Sequence, residues 1–133
     1  MSGMRAFRIA IPVSDINRSR AFYEHLLDCP ADDTVPSRLY FHGGGFIVAV
    51  IDWAVENHGV STPVRPLPDS LYFATEDIIE TRGRAAQAGA VITKDITLQP
   101  WGERSFYCTD PDGHPLCFVA ADTLFLGAGA DWA

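Results

Sequence analysis

Basic residues are few in this sequence, and none of them cluster. Ten Lys and Arg residues stand against 17 Asp and Glu residues in 133, which gives a formal net charge of −7 at pH 7. A nucleic-acid groove needs a patch of the opposite sign, so we expect no nucleic-acid partner. The acidic balance favours solubility and would also attract a cationic ligand.

Long apolar runs are missing as well. The longest, such as residues 46–51, falls far short of the ~20 residues that span a membrane. The opening residues MSGMR lack the apolar stretch of a secretory signal. We therefore expect no membrane partner and a cytoplasmic location.

Cysteine is scarce. Cys29, Cys108 and Cys117 are an odd number, at spacings unlike those of zinc-binding pairs. Reduced, buried thiols are their ordinary state in a cytoplasmic protein. A nucleophilic Cys117 would need a nearby cation such as Arg8 to lower its pKa, and no general base is evident beside it.

One pattern of elements occurs twice in the same order. In the first copy, residues 7–13 alternate and predict a strand, and Asp15 can cap the amphipathic helix that follows. Residues 38–42 and 46–53 then predict two strands, which the glycine turn 43–45 joins into a hairpin.

The second copy follows residues 54–68, which contain three prolines and no periodicity. Asp77 with Glu80 three positions later has the form of a capping box, and Gly89 is a natural helix stop. The strands of this copy are predicted at 70–75, at 91–97 and in the hairpin 101–119.

These patterns predict one α+β domain over residues 1–122, in which each copy is a βαβββ module. Such a module is a curved, half-open sheet with a helix on one face, and it cannot bury its concave face alone. Two modules, paired within the chain or exchanged between subunits, would form a curved incomplete barrel around a pocket. We expect the modules at about 5–54 and about 69–121, with a linker at about 55–68.

The tail, residues 123–133, is apolar around a flexible glycine and alanine stretch. Leu124, Phe125, Leu126 and Trp132 are too apolar to be left in water. We expect them to pack on the body of the protein or on a partner subunit.

Three stretches carry a resemblance to a known family. Residues 11–23 read IPVSDINRSRAFY, residues 71–77 read LYFATED, and the last hairpin combines W-G-x-R at 101–104 with DPDGH at 110–114. In this order they resemble the vicinal oxygen chelate superfamily, which includes glyoxalase I, extradiol dioxygenases, and the bleomycin- and fosfomycin-resistance proteins. The resemblance covers 7–120 and implies a glyoxalase/bleomycin-resistance-like fold of paired βαβββ modules, usually in a homodimer.

Metal-using members of this superfamily place one ligand, His or Glu, on each of four strands. The corresponding positions here are Arg8, Ala49, Ser70 and Cys117. They do not form a ligand set for a hard divalent cation, and a guanidinium repels one. We therefore predict no metal and no cofactor. Other donors near these positions are His42 and Asp52, whereas the remaining histidines are expected in solvent: His25, His58 and His114.

Residues that share strand parity with these positions should also face the pocket. The predicted ligand-binding residues are Arg8, Ala49, Ile51, Trp53, Ser70, Tyr72, Trp101, Tyr107 and Cys117. The aromatic side chains would either stack on a planar or cationic group or fill the barrel. Arg8 would either bind an anion or pair with an acidic neighbour.

Three functions fit this pattern. The first is a metal-free member of the superfamily that binds a small organic molecule, cationic or aromatic, in an aromatic barrel cavity, as in drug sequestration of the bleomycin-resistance kind. The second is a divalent-metal-dependent lyase, isomerase or dioxygenase with rearranged ligands such as His42 and Asp52. The third is a degenerate module that serves only to dimerise or to contact another protein. We expect the first, in a homodimer, and leave open whether any reaction is catalysed.

Overall fold

The computed structural model describes residues 3–60 and 63–127. It contains two units, Met1–Leu67 and Pro68–Ala133, each with its own sheet. Unit one consists of β1 (Arg8–Val13), α1 (Ile16–Leu27), β2 (Arg38–Gly43), β3 (Phe46–Asp52) and α2 (Trp53–Glu56). Unit two consists of β4 (Leu71–Thr75), α3 (Ile78–Ala88), β5 (Val91–Leu98), β6 (Arg104–Thr109), β7 (Pro115–Ala120) and a 3₁₀ turn (Ala121–Thr123).

The two long α-helices, α1 and α3, begin at residues that are suited to helix capping. Asp15 Oδ1 accepts from the Arg18 backbone N at 3.1 Å, and Asp77 Oδ1 accepts from the Glu80 backbone N at 3.0 Å. Each carboxylate satisfies an N–H group that the first helical turn leaves unpaired. At its other end α3 stops at Gly89, whose φ of 92° lies in the left-handed region.

The sheet of unit one has the strand order β1-β3-β2, with β1 parallel and β2 antiparallel to β3. The β2–β3 hairpin turns at Gly44 and Gly45, which have φ values of 60° and 83°. A two-residue turn with both φ values positive matches the twist of the strands, and glycine adopts it without strain. The glycine hairpin is therefore confirmed.

The core of unit one lies between α1 and one face of this sheet. The Tyr23 ring of α1 lies 6.0 Å from the ring of Phe41 on β2. Ile11, Val50 and Leu26 complete this layer and are fully buried. The opposite face of the sheet is called here the open face of unit one.

Unit one differs from the predicted module in two respects. Among the described residues of this unit, two full strands follow α1. The chain between α1 and β2 pairs with β2 at a single residue, Asp32, which exchanges both backbone hydrogen bonds with Tyr40 at 2.9 Å. The prediction that Trp53 continues β3 is wrong, since the strand ends at Asp52 and Trp53 begins α2.

The sheet of unit two has the order β4-β7-β6-β5, in which only the β4–β7 pair is parallel. Three stacked rings cross it on the α3 side: Phe118 lies 5.0 Å from Phe73 and 5.2 Å from Phe106. On the same side, the Thr75 hydroxyl lies 2.7 Å from that of Thr81 on α3. This packing leaves the other face of the sheet, called here the open face of unit two, uncovered by α3.

The architecture is α+β, and both sheets are open, with β1, β2, β4 and β5 at their edges. The predicted fold class is confirmed. Within the described ranges, no helix is both long enough and apolar enough to cross a membrane.

Candidate functional site

The open face of unit two brings together three of the residues predicted to bind a ligand. Cys117 on β7 is the direct partner of Tyr72 on β4 and of Tyr107 on β6. Directly paired residues point to the same face of a sheet and lie about 5 Å apart, so the three side chains form one row across three strands. Cys117 is 1% exposed, whereas Tyr72 at the edge is 53% exposed.

This row is hydrogen-bonded, and the hydrogen bonds continue beyond it. Hydrogen bonding with the Tyr107 hydroxyl acts to lower the pKa of both Tyr72 and Cys117, so Tyr107 is the donor toward this pair. The Ser105 hydroxyl bonds to the Cys117 sulfur and accepts from Gln99 Nε2 at 3.2 Å. Gln99 is 4% exposed. These side chains, together with Lys94 described next, are called here the open-face network.

Lys94 closes the network at the β5 side. Its Nζ donates to Gln99 Oε1 at 3.2 Å. The β5–β6 register shifts on both sides of Lys94, and this irregularity sets Lys94 opposite Tyr107. Such a bulge re-aims a side chain and here delivers the only lysine of the sequence to the network.

The titratable groups of the row are neutral at physiological pH. Burial, followed by the neighbouring Cys117 and Tyr72, raises the pKa of Tyr107 to about 12. Burial also raises the pKa of Cys117, although its hydrogen bonds with Tyr107 and Ser105 act in the opposite direction. Partial burial, followed by the charge of Asp69, raises the pKa of Tyr72. Cys117 is therefore a protonated thiol and not an activated nucleophile.

Sequence reasoning missed the other members of the network. Ser105 shares strand parity with Tyr107, so alternation alone could have found it. Gln99 follows β5 in a loop, where no periodicity applies. Lys94 depends on the bulge, which reverses the parity expected from β5.

The other predicted residues of unit two lie at the ends of its strands. Ser70 precedes β4, and its backbone N donates to Asp69 Oδ1 at 2.7 Å. Trp101 lies in the β5–β6 loop, is 49% exposed, and donates from Nε1 to Glu103 Oε1 at 2.7 Å. The other oxygen of Glu103 accepts from the Phe125 backbone N at 2.9 Å. One carboxylate thus joins the loop to the tail.

The tail itself is only partly described. Leu124, Phe125 and Leu126 are 38%, 63% and 38% exposed, and Trp132 lies outside the described residues. Since these side chains remain accessible within the chain, their packing on a partner subunit stays a prediction.

In unit one, Arg8, Ala49 and Ile51 share the open face. The strand register places each of these residues on the face of the sheet that points away from α1. Ala49 and Ile51 are buried, whereas the Arg8 guanidinium is exposed and lies 5.0 Å from the centre of the Phe7 ring. Trp53 does not extend this set, because it begins α2.

Arg38 and Glu56 give unit one a polar pair that the sequence did not reveal. Arg38 lies on β2 with the parity of Ile51, and its Nε donates to Glu56 Oε1 at 2.8 Å. The pKa of Arg38 is raised by its hydrogen bond with Glu56 and then by the one with Tyr40. Glu56 thus favours the charged form of the Arg38 guanidinium.

The four positions at which metal-using relatives would carry ligands do not fit a divalent ion. Arg8 is a cation, Ala49 has no donor atom, and Cys117 is a protonated thiol within a hydrogen-bonded row. Only the Ser70 hydroxyl remains, and one neutral oxygen does not hold a hard cation. In the part of the chain that the structure describes, no three His, Cys, Asp or Glu side chains are grouped to bind a metal.

His42 and Asp52 cannot replace these ligands. His42 pairs with Ile47, whereas Asp52 pairs with Val13 on the face that α1 covers. Since side chains alternate along a strand, the two residues point to opposite faces, and their use as a joint donor pair is wrong. His42 Nε2 instead lies 3.4 Å from Asp32 Oδ2.

His114 also departs from its prediction. It is fully buried rather than solvated, and its backbone N donates to Asp110 Oδ1 at 2.8 Å. His25 and His58 are exposed, as predicted.

A separate cavity of about 320 Å³ lies at the N-terminal end of α3. It is lined by Asp77, Ile78, Ile79, Arg104 and Asp122, among others. It contains none of the predicted site residues. The open-face network, and not this cavity, is therefore the candidate functional site of unit two.

Comparisons with known proteins bear on the whole chain. A family model for the Glyoxalase/Bleomycin resistance protein/Dioxygenase superfamily matches residues 5–118. No curated protein matches the chain. Among solved structures, a glyoxalase-related enzyme from Fulvimarina pelagi is similar with a TM-score of 0.77 at 22% identity, over 96% of this chain and 95% of that chain.

Two further structures are similar over most of their length. A member of the same superfamily from Sphaerobacter thermophilus has a TM-score of 0.65 at 23% identity, over 88% of this chain and 97% of that chain. TioX from Micromonospora sp. ML1 has a TM-score of 0.67 at 20% identity, over 89% of this chain and 99% of that chain. These likenesses show the fold.

Proposed function

This chain belongs to the Glyoxalase/Bleomycin resistance protein/Dioxygenase superfamily, and we propose that it binds a small organic molecule on the open face of unit two without a metal ion. The observation that carries this proposal is the row of Tyr72, Cys117 and Tyr107, in which the position of a family metal ligand has become part of a hydrogen-bonded network. Small-molecule sites commonly combine aromatic walls with a few fixed polar groups.

The network supports binding because it fixes its polar groups before a ligand arrives. Each hydroxyl and thiol of the row already has a hydrogen-bond partner within the protein. A ligand therefore meets an ordered surface, and less conformational entropy is lost on binding. The half-exposed ring of Tyr72 offers a face on which a planar group can stack.

The charges around the row favour a neutral or cationic ligand. Asp69 and Glu103 both act electrostatically on Tyr72 and raise its pKa. Glu103 acts in the same direction on Cys117. A field that disfavours phenolate and thiolate also disfavours a bound carboxylate, so we expect an aromatic or cationic small molecule. We also propose, from the family, a homodimer in the cytoplasm.

The test is a thermal-shift screen of neutral and cationic aromatic compounds, followed by calorimetric titration of those that stabilise the protein. Tyr107→Phe and Cys117→Ser should weaken binding of such compounds. Cys108→Ser is the matched control, because Cys108 is equally buried in the same sheet but points to the α3 side. Equal losses in the two cysteine variants would contradict a site on the open face.

Metal content is measured on the same protein. Elemental analysis of protein purified without chelators should find no stoichiometric Mn, Fe, Ni or Zn. A bound ion, together with an activity that chelation removes, would overturn the metal-free proposal. Light scattering coupled to gel filtration reports whether the chain is a dimer.

A further inference from the structure

Glu103 lies at the end of the open face of unit two, beside the β5–β6 loop. Its backbone oxygen accepts from the Gln99 backbone N at 2.7 Å, which continues the β5–β6 ladder by one pair beyond Leu98 and Arg104. Paired residues share a face, and the Gln99 side chain lies on the open face, where it donates to Ser105. The Glu103 carboxylate therefore belongs to the open face as well.

This carboxylate holds two aromatic residues. Oε1 accepts from Trp101 Nε1 at 2.7 Å, and Oε2 accepts from the Phe125 backbone N at 2.9 Å. The tail is fixed a second time by Thr123, whose Oγ1 accepts from the Arg104 backbone N at 3.1 Å. The loop and the tail are thus bound to the two oxygens of one side chain, although the tail lies beyond the family match, which ends at residue 118.

Both rings are accessible from solvent. Trp101 and Phe125 are 49% and 63% exposed, and within the described ranges neither ring stacks on another ring. The indole donates to Glu103 in its own ring plane, so its faces are left for other contacts. The hydrogen bonds therefore fix two aromatic residues in position without covering their rings.

The charge of Glu103 is also available to a ligand. A carboxylate offers about four acceptor positions, and the two hydrogen bonds leave the others open. In the described part of the chain, no Lys, Arg or His side chain forms an ion pair with Glu103. Besides burial, its charge contributes to the raised pKa of Tyr72 and of Cys117, so it lies near their row. A negative charge that lacks a counter-ion and is flanked by aromatic side chains is suited to an organic cation.

We propose that Glu103, Trp101 and Phe125 form a subsite for an organic cation at the end of the open face of unit two. This inference rests on the proposed function and narrows its ligand to an aromatic cation, in which the charge is carried by an alkylated nitrogen. The charged nitrogen lies at Glu103, and the rest of the ring system extends over the row that contains Cys117. The exposed Phe125 thereby has a role that needs no partner subunit.

Two probes of the same shape test this subsite. N-methylquinolinium and α-methylnaphthalene differ in one ring atom, which is a positively charged nitrogen in the first and a carbon in the second. Their affinities for the full chain are measured by ligand-observed NMR at low salt. The quantity compared between variants is the ratio of the two affinities, because the ratio cancels changes that affect both probes alike. Since the charges are close to solvent, about 1 M NaCl should reduce the ratio for the wild-type protein.

Substitutions at Glu103 and in the tail locate the cation. Glu103→Gln removes the charge with little change in shape, and its amide oxygen can still accept from Trp101. The ratio should fall about three- to tenfold, the effect of losing a carboxylate beside a partly exposed cation. Asp122→Asn is the matched control: it removes the same charge from a residue that lines the separate cavity at α3, and the ratio should be unchanged. Phe125→Ala keeps the backbone N–H and should weaken the cation about two- to fivefold, whereas Leu124→Ala should not.

The outcomes separate the two proposals. An equal ratio in the wild type and in Glu103→Gln would overturn the cation subsite, while weaker binding of both probes by Tyr107→Phe would keep the proposed function. A ratio that depends on Glu103, with affinities that Tyr107→Phe and Cys117→Ser leave unchanged, would keep the subsite and overturn the proposed function. If neither probe binds up to its solubility limit, both proposals fail. Circular dichroism verifies that each variant is folded.

Discussion

Replacement of Tyr107 by Phe should destabilise the protein at neutral pH, and this destabilisation should disappear in alkali. At neutral pH the variant loses a half-buried hydroxyl that bonds to Tyr72 and Cys117. Hydrogen bonds of this kind contribute about 0.5–1.5 kcal/mol each. We therefore expect the free energy of unfolding of Tyr107→Phe to be about 1–2 kcal/mol below that of the wild type.

The destabilisation disappears in alkali because the folded protein holds the Tyr107 proton more tightly than the unfolded chain. Burial raises the pKa of Tyr107 from 10.0 to about 12. A raised pKa contributes stability that is fully present below about pH 10 and is lost as pH rises toward about 12. By about pH 11 the loss amounts to roughly 1.4 kcal/mol. Phenylalanine cannot titrate and does not undergo this loss.

Urea unfolding followed by circular dichroism at about pH 8 and about pH 11 measures the effect. The difference between wild type and Tyr107→Phe should fall from about 1–2 kcal/mol to near zero. The same comparison in a Cys117→Ala background is the control, because Cys117 contributes to the raised pKa and its removal should flatten the change. A difference that stays constant between the two pH values would refute this account of Tyr107.

Three other changes have defined outcomes. Gln99→Leu removes both hydrogen bonds of a buried amide and leaves Ser105 without its donor, so urea unfolding should show a loss of about 1–3 kcal/mol. Asp77→Ala removes the N-cap of α3 and should cost about 1 kcal/mol, whereas Glu76→Ala beside it should leave the urea midpoint unchanged. Cys29 is partly exposed, whereas Cys108 and Cys117 are buried. Iodoacetamide should therefore modify Cys29 first and react with the other two thiols only in urea. Equal rates of modification in the native protein would contradict their burial.

The sequence predicted the elements whose signals are local. Asp15 and Asp77 cap their helices because each carboxylate needs only the backbone of the next turn. The glycines at 44 and 45 form the hairpin turn because their φ values are positive. The β2–β3 and β6–β7 hairpins form as predicted for the same reason, since the strands and the turn of each lie within a few residues of one another.

What the sequence missed depends on where distant segments meet. The apolar run of β3 continues into Trp53, and periodicity alone does not show that the chain turns into α2. The face of the sheet on which His42 or Asp52 lies depends on the register of β2 against β3. The position of the two-residue turn sets that register. Glu103 gains its role only because the tail returns to the β5–β6 loop.

The candidate site was predicted in part, for a reason that lies in the sheet itself. Tyr72, Cys117 and Tyr107 lie in a single row because β4, β7 and β6 are in register. The next row on the same strands, Phe73, Phe118 and Phe106, points to the other face and forms the stacked core. The alternation of side chains along the strands predicted the first row. It could not predict that Lys94, placed by a bulge, and Gln99, in a loop, would add polar groups to that row.

This alternation separates function from folding on the same three strands. Cys117 and Phe118 are neighbours in sequence, yet one belongs to the hydrogen-bonded row and the other to the aromatic core. A change in the first row alters which groups meet a ligand, whereas the packing against α3 is made by the second row. The strand position at which related proteins would carry a metal ligand can therefore hold a thiol in a hydrogen-bonded chain while the fold stays the same. The chemistry of the open face must accordingly be inferred from its own side chains and not from the fold.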